Sequence, residues 1–122
     1  MGLNLQQALG VHPAALSLRG ERAQLLASNL ANDATPGYQA RDIDFSARLQ
    51  QLSEESGEGF LPAFEDERAL YRVPGRAALD GNTVELGEEQ ARFAQNAVDF
   101  QTSLAFVNMK LKGLAAAIRG EV

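Results

Sequence analysis

Residues 88–119 read EEQARFAQNAVDFQTSLAFVNMKLKGLAAAIR, and their spacing decides the fold. Phe93, Ala97, Phe100, Leu104, Val107, Leu111, Leu114 and Ile118 alternate at steps of four and three, which predicts one apolar seam along a single long helix. A seam of this kind is covered by packing against other helices. It carries no arrangement of nucleophile, base or metal ligand, so function is expected to reside in the surfaces this helix buries.

The ends of the helix are marked by charge. Glu85, Glu88 and Glu89 lie near the positive end of the backbone dipole, and Lys110, Lys112 and Arg119 lie near the negative end. Asn82 with Glu85 three residues later resembles a capping pair, which predicts a start between Asn82 and Glu88. Between Gln95 and Met109 the only charge is Asp99. An outer face that is polar but uncharged suits neighbouring subunits better than open water.

Working back to the N-terminal part, Leu5, Leu9, His12, Leu16, Ala23, Leu26 and Leu30 follow a helical spacing that Pro13 interrupts. Proline is tolerated in the first turn of a helix and breaks an interior one. The expected result is a short turn over about residues 3–9, then a main helix over about 13–32. Gly20, Ala23, Ala27 and Ala31 leave one of its faces nearly free of bulk, a surface to which another backbone can come close. Leu16, Ala23, Leu26 and Leu30 are expected to face the C-terminal seam, and His12 reads as a packed or interfacial histidine.

The helix stops at Ala34-Thr35-Pro36-Gly37-Tyr38: the residue before a proline is pushed out of the helical region, and Gly37 supplies the positive φ of a type II turn. Ile43, Phe45, Leu49 and Leu52 predict a short helix between Asp42 and Leu52. The acidic, glycine-bearing stretch from Ser53 to Asp66 reads as a loop, and Leu70 to Val73 as a short extended piece stopped by Pro74-Gly75. The fold class expected is mainly α: an antiparallel pair of long N- and C-terminal helices, coiled-coil-like, joined by a largely irregular middle over about 33–82. The whole is a single domain over residues 1–122, with the second helix over about 85–119.

Composition narrows the function classes. With eleven Lys and Arg against sixteen Asp and Glu, and no basic cluster, nucleic-acid binding is not expected. The chain has no cysteine, its acidic stretch fits no calcium loop, and its one histidine has no acid or base partner nearby in sequence. No catalytic residue, no metal site and no cofactor are therefore expected. No run is apolar enough for a membrane span, and the first ten residues lack the pattern of a cleaved signal.

Ser28-Asn29-Leu30-Ala31-Asn32 followed by Thr35-Pro36-Gly37-Tyr38 resembles the N-terminal signature of bacterial flagellar rod and hook axial proteins. Residues 40–45 (ARDIDF), 71–74 (YRVP), 79–84 (LDGNTV) and 93–97 (FAQNA) continue the likeness, in order, to the proximal-rod branch of that family. The resemblance implies a structural subunit of the flagellar drive shaft, next to the inner-membrane ring, exported by the flagellar type III apparatus without a cleaved signal. Its implied partners are other flagellar rod proteins, the ring-proximal rod adaptor and copies of itself. On this reading Phe93, Phe100, Leu104, Val107, Leu111, Leu114 and Ile118 form the hairpin and inter-subunit core. Asn29, Asn32, Thr35, Pro36, Gly37 and Tyr38 set the turn and lateral contacts. Two alternatives fit the same patterning: another axial protein of the group, and a cytosolic helical-hairpin adaptor or export chaperone.

Overall fold

The computed structural model describes residues 8–55, 70–75 and 78–120. Its elements are, in order, α1 (His12–Ala31), β1 (Arg41–Asp42), α2 (Phe45–Glu55), β2 (Leu70–Tyr71) and α3 (Leu86–Arg119). The two long helices pack against each other, and the segment between them has little regular structure, as the apolar spacing led us to expect.

Pro13 lies in the first turn of α1, where its missing N–H leaves no bond unmade. The interruption in the pattern belongs to Gly10, whose φ of 63° separates α1 from the helical residues Ala8 and Leu9. At the other end the Asn32 side chain folds back to donate to the Ser28 carbonyl at 2.8 Å. Gly37 takes φ 72°, and the Tyr38 N–H closes the turn onto the Thr35 carbonyl at 3.2 Å.

Four contacts fix the antiparallel register of α1 on α3. Asn29 meets Glu89, Arg19 meets Asp99, Gly20 meets Phe100, and His12 stacks on Phe106 with ring centroids 5.7 Å apart. At ~1.5 Å per residue α1 is about 30 Å long and α3 about 51 Å, so α3 runs on by about 20 Å past the start of α1. Gly120, at φ 73°, ends α3 in the left-handed conformation, with its N–H on the Ala116 and Ala117 carbonyls.

The middle adds a two-stranded antiparallel ladder, Arg41 opposite Tyr71 and Asp42 opposite Leu70, lengthened by the Arg72 N–H on the Ala40 carbonyl at 2.9 Å. Residues 41–42 carry no strand pattern of their own, and their pairing comes from the contacts of Asn29 and Asp42 described below. The helix expected near residues 42–52 forms as α2 and runs on through Ser53–Glu55, into the stretch read as loop. The rest of that stretch, like most of the turn expected over residues 3–9, lies outside the described residues.

The expected Asn82–Glu85 capping pair is corrected. Glu85 is the N-cap by position but makes no side-chain cap bond, because its carboxylate accepts from the Gly75 N–H. Asn82 is buried and turned to the end of α1.

Candidate functional site

Among the described residues the buried set is small and unusually polar: Ala15, Leu18, Leu26, Ala40, Ile43 and Leu52 are its apolar members, while Asn29, Asn82, Glu89 and Asn96 are buried with them. A buried glutamate is tolerated only when its charge is matched and its lone pairs are used. Here Arg72 supplies the match.

Arg72 follows β2 and reaches two carboxylates. Its Nη2 donates to Asp42 Oδ2 at 2.9 Å and its Nη1 pairs with Glu89 Oε1, so one guanidinium ties β1 to the first turn of α3. Asp42 also takes a bidentate grip from Arg22 of α1, at 2.8 Å and 3.0 Å, and the Ile43 N–H at 2.8 Å. Arg92 stands 3.4 Å away on α3 and is itself paired with Glu88. Burial works to raise the Asp42 carboxyl. The Arg22 hydrogen bonds, the Ile43 N–H and the charges of Arg22 and Arg72 outweigh it and hold the carboxyl below the ordinary value.

Asn29 uses its whole amide inside this cluster. Its nitrogen donates to the Arg41 carbonyl at 2.7 Å and to Glu89 Oε2 at 3.0 Å, and its oxygen accepts from the Arg41 N–H at 3.0 Å. The side chain thus substitutes for a strand neighbour on β1. Tyr38 folds back over the same helix end, its hydroxyl 3.0 Å from Ser28 Oγ.

Asn82 ties the start of α3 to the end of α1. Its two N–H bonds are shared among the carbonyls of Asn32, Asp33 and Thr35 at 2.9, 3.0 and 2.8 Å, and its oxygen accepts from the Val84 N–H at 2.7 Å. These carbonyls belong to the C-cap of α1 and the turn that follows it, so Asn82 holds that turn against the start of α3. Next to Asn82, Thr83 closes the junction from both sides: its hydroxyl accepts from the Ala40 N–H at 2.7 Å and its own N–H donates to the Tyr38 carbonyl.

Farther along the hairpin, Asn96 donates to the Arg19 carbonyl at 2.9 Å, and the Arg19 guanidinium stacks 3.4 Å over the Phe45 ring. That stack fastens α2 to α1. Glu89, Asn96 and Ser103 recur every seven residues, and the buried Glu89 and Asn96 of this polar line meet α1 beside Phe100 of the apolar seam.

The seam is therefore only partly covered by the hairpin. Phe100, Val107 and Leu114 are half-buried, while Phe93, Ala97, Leu104, Leu111 and Ile118 are exposed; on α1, Leu26 is buried and Leu16, Ala23 and Leu30 are half-buried. The turn residues divide in the same manner. Asn29 is fully buried, Asn32 and Tyr38 are half-buried, and Thr35, Pro36 and Gly37 are exposed. Gly20 faces the edge of the Phe100 ring at 3.9 Å from an added Cβ, so the small-residue face of α1 receives a side chain at that point and not a backbone.

Among the described residues no group of three or more His, Asp or Glu side chains could hold a metal ion, and no helix is long and apolar enough to cross a membrane. The polar cluster fastens α1, β1, β2 and α3 together. The exposed line of α3 is the candidate functional surface.

No family model matches the chain. Its likeness to individual proteins is nonetheless extensive. It is 50% identical over 125 residues to the flagellar basal body rod protein FlgB of Cereibacter sphaeroides strain ATCC 17029, covering 93% of this chain and 94% of the relative. The FlgB of Aeromonas hydrophila is 40% identical over 131 residues, covering 99% of both chains. The chain belongs to the FlgB family of flagellar basal body rod proteins. The FlgB of Salmonella typhimurium strain LT2, 38% identical over 132 residues with 95% and 96% covered, carries the likeness to a further genus. Membership of the FlgB family gives the exposed line of α3 its context, that of a structural protein of the flagellar rod.

Of the polar cluster, the sequence singled out Asn29 for turn and lateral contacts and Glu89 for the positive end of the helix dipole, but not their burial together. Asp42 and Arg72 entered within the stretches 40–45 and 71–74 that carry the family resemblance. The available signal was the seven-residue recurrence of Glu89, Asn96 and Ser103 beside the apolar seam.

Proposed function

We propose that this chain is a structural subunit of the proximal rod, packed helically against copies of itself, other rod proteins and the ring-proximal adaptor, close to the inner-membrane ring. One observation carries the reading: α3 presents Leu86, Phe93, Leu104, Leu111 and Ile118, each between 38% and 66% exposed, along about 48 Å of one helix flank. A contiguous apolar line of that length marks a surface meant for other chains. The exposed Thr35-Pro36-Gly37 corner supplies the lateral contact. The role is mechanical and needs no catalysis, and delivery runs through the flagellar export apparatus.

The test replaces the native gene with one encoding Leu104→Asp. A charge in the middle of the line is expected to abolish rod assembly and swimming, while circular dichroism of the purified variant keeps the helicity of the original. Normal swimming would refute the reading.

A further inference from the structure

β1, α2 and β2 lie against both long helices, with Asp42 reaching Arg22 of α1 and Arg92 of α3. The two strands are tied to each other three ways: by their ladder, by the Arg72 N–H on the Ala40 carbonyl and by the Arg72–Asp42 pair. They therefore move together. Their outer side is open to water, with Leu70, Tyr71 and Val73 exposed by 60%, 66% and 89%.

The ties from this segment to the helices are of a kind that water can replace. Arg22 grips Asp42, the Asn29 amide holds the Arg41 backbone, Glu89 pairs with Arg72, and the Glu85 carboxylate accepts from the Gly75 N–H. Phe45 lies under the Arg19 guanidinium, and Ile43 and Leu52 are the buried apolar side chains of the segment. An interface with so few apolar groups gives up little hydrophobic stabilisation when it opens, and each charge it frees is hydrated again.

The helix pair does not need the segment for its own register. Asn29 on Glu89, Asn96 on the Arg19 carbonyl, Gly20 against Phe100 and His12 on Phe106 all join α1 directly to α3. The root of the segment is pinned separately, since Thr83 holds both Ala40 and Tyr38 and Asn82 holds the turn after α1.

We infer that β1, α2 and β2 form a strap that opens from the helix pair as one unit, hinged where Thr83 meets Tyr38 and Ala40, while α1 and α3 stay paired. Opening uncovers Arg22, Asn29 and Glu89, which the closed strap shields. Because it separates Asp42 from Arg22 and Arg72 from Glu89, it is favoured by salt, which screens the freed charges. The strap does not depend on the rod reading above.

The test is hydrogen exchange of the full chain at fixed pH, read residue by residue by nuclear magnetic resonance. The Arg41 and Arg72 amides report on the strap, and those of Leu26 and Phe100 on the helix pair. Arg41 and Arg72 are expected to open together and to exchange at least about tenfold faster than Leu26 and Phe100. Raising the salt from about 0.1 M to about 1 M should speed the strap by a further factor of about three and leave the helices unchanged. Arg22→Gln keeps a donor for Asp42 without the charge, and should speed strap exchange at low salt and reduce its salt response. Equal protection of all four amides, independent opening of Arg41 and Arg72, or strap exchange indifferent to salt would overturn the inference.

Discussion

Asn29 and Glu89, sixty residues apart in sequence, share a 3.0 Å hydrogen bond with both side chains shielded from solvent. The bond joins the last turn of α1 to the first turn of α3. Because Asn29 also holds Arg41 by its backbone and Glu89 also holds Arg72, one contact fixes the hairpin register and the position of the middle segment together. Polar groups placed inside a helical interface act in this way elsewhere, setting register through the penalty for leaving them unpaired.

Removing one member should therefore be severe. Glu89→Ala leaves Arg72 and Asn29 buried without their shared acceptor and is expected to lower stability by about 3–5 kcal/mol. Glu89→Gln keeps an acceptor for Asn29 while losing the charge, and should fall between the two. Urea denaturation followed by circular dichroism gives the ranking, and a Glu89→Ala protein as stable as the original would contradict the assignment.

Asn82→Asp exchanges two donors for a carboxylate facing three carbonyls. The change is nearly isosteric, so the loss reflects hydrogen bonding and repulsion rather than packing. We expect about 2–3 kcal/mol, measured the same way. Asn82→Ala, which removes the donors without adding repulsion, should be milder.

Acid should loosen the middle segment through Asp42. Its folded carboxyl is held below its unfolded value of about 3.9, so between the two values the unfolded chain binds more protons. The stabilisation is present above about pH 5 and is lost as pH falls through the folded value. Asp42→Asn should lower stability at neutral pH and flatten the acid limb of a stability profile. Identical slopes for the two proteins between pH 3 and 5, limits taken as roughly bracketing the unfolded value, would exclude the assigned role.

Two glycines should respond in opposite directions. Gly20 is an interior helical residue whose added Cβ would make ordinary contact with Phe100, so Gly20→Ala is expected to stabilise by about 0.5–1 kcal/mol. Gly37 has open space around it but a φ of 72°, so Gly37→Ala should destabilise by about 1–2 kcal/mol through the backbone alone. Thermal melts of both variants separate the two effects.

The helix pair was legible because its signals are local. The four-three spacing from Phe93 to Ile118, the proline at the start of α1 and the Pro36-Gly37 turn each act within a few residues. The face that α3 turns to its partner was less legible. A seven-residue repeat drifts around a straight helix by about 20° per heptad, and the polar line Glu89, Asn96, Ser103 runs beside the apolar one. Only the partner decides which line is covered, and α1 offers Asn29 and the Arg19 carbonyl. The cluster on Asp42 was hidden because it draws Arg22, Arg72 and Arg92 from positions 20 to 50 residues away. No spacing rule connects such residues before the chain is folded.

The most direct measurement is an electron cryomicroscopy structure of basal bodies isolated from the bacterium that carries this chain. Membership of the rod through the open flank of α3 predicts density for the chain at the ring-proximal end, with Leu104 and Leu111 covered by a neighbouring subunit. A rod in which that flank faces solvent, or from which the chain is missing, would contradict it.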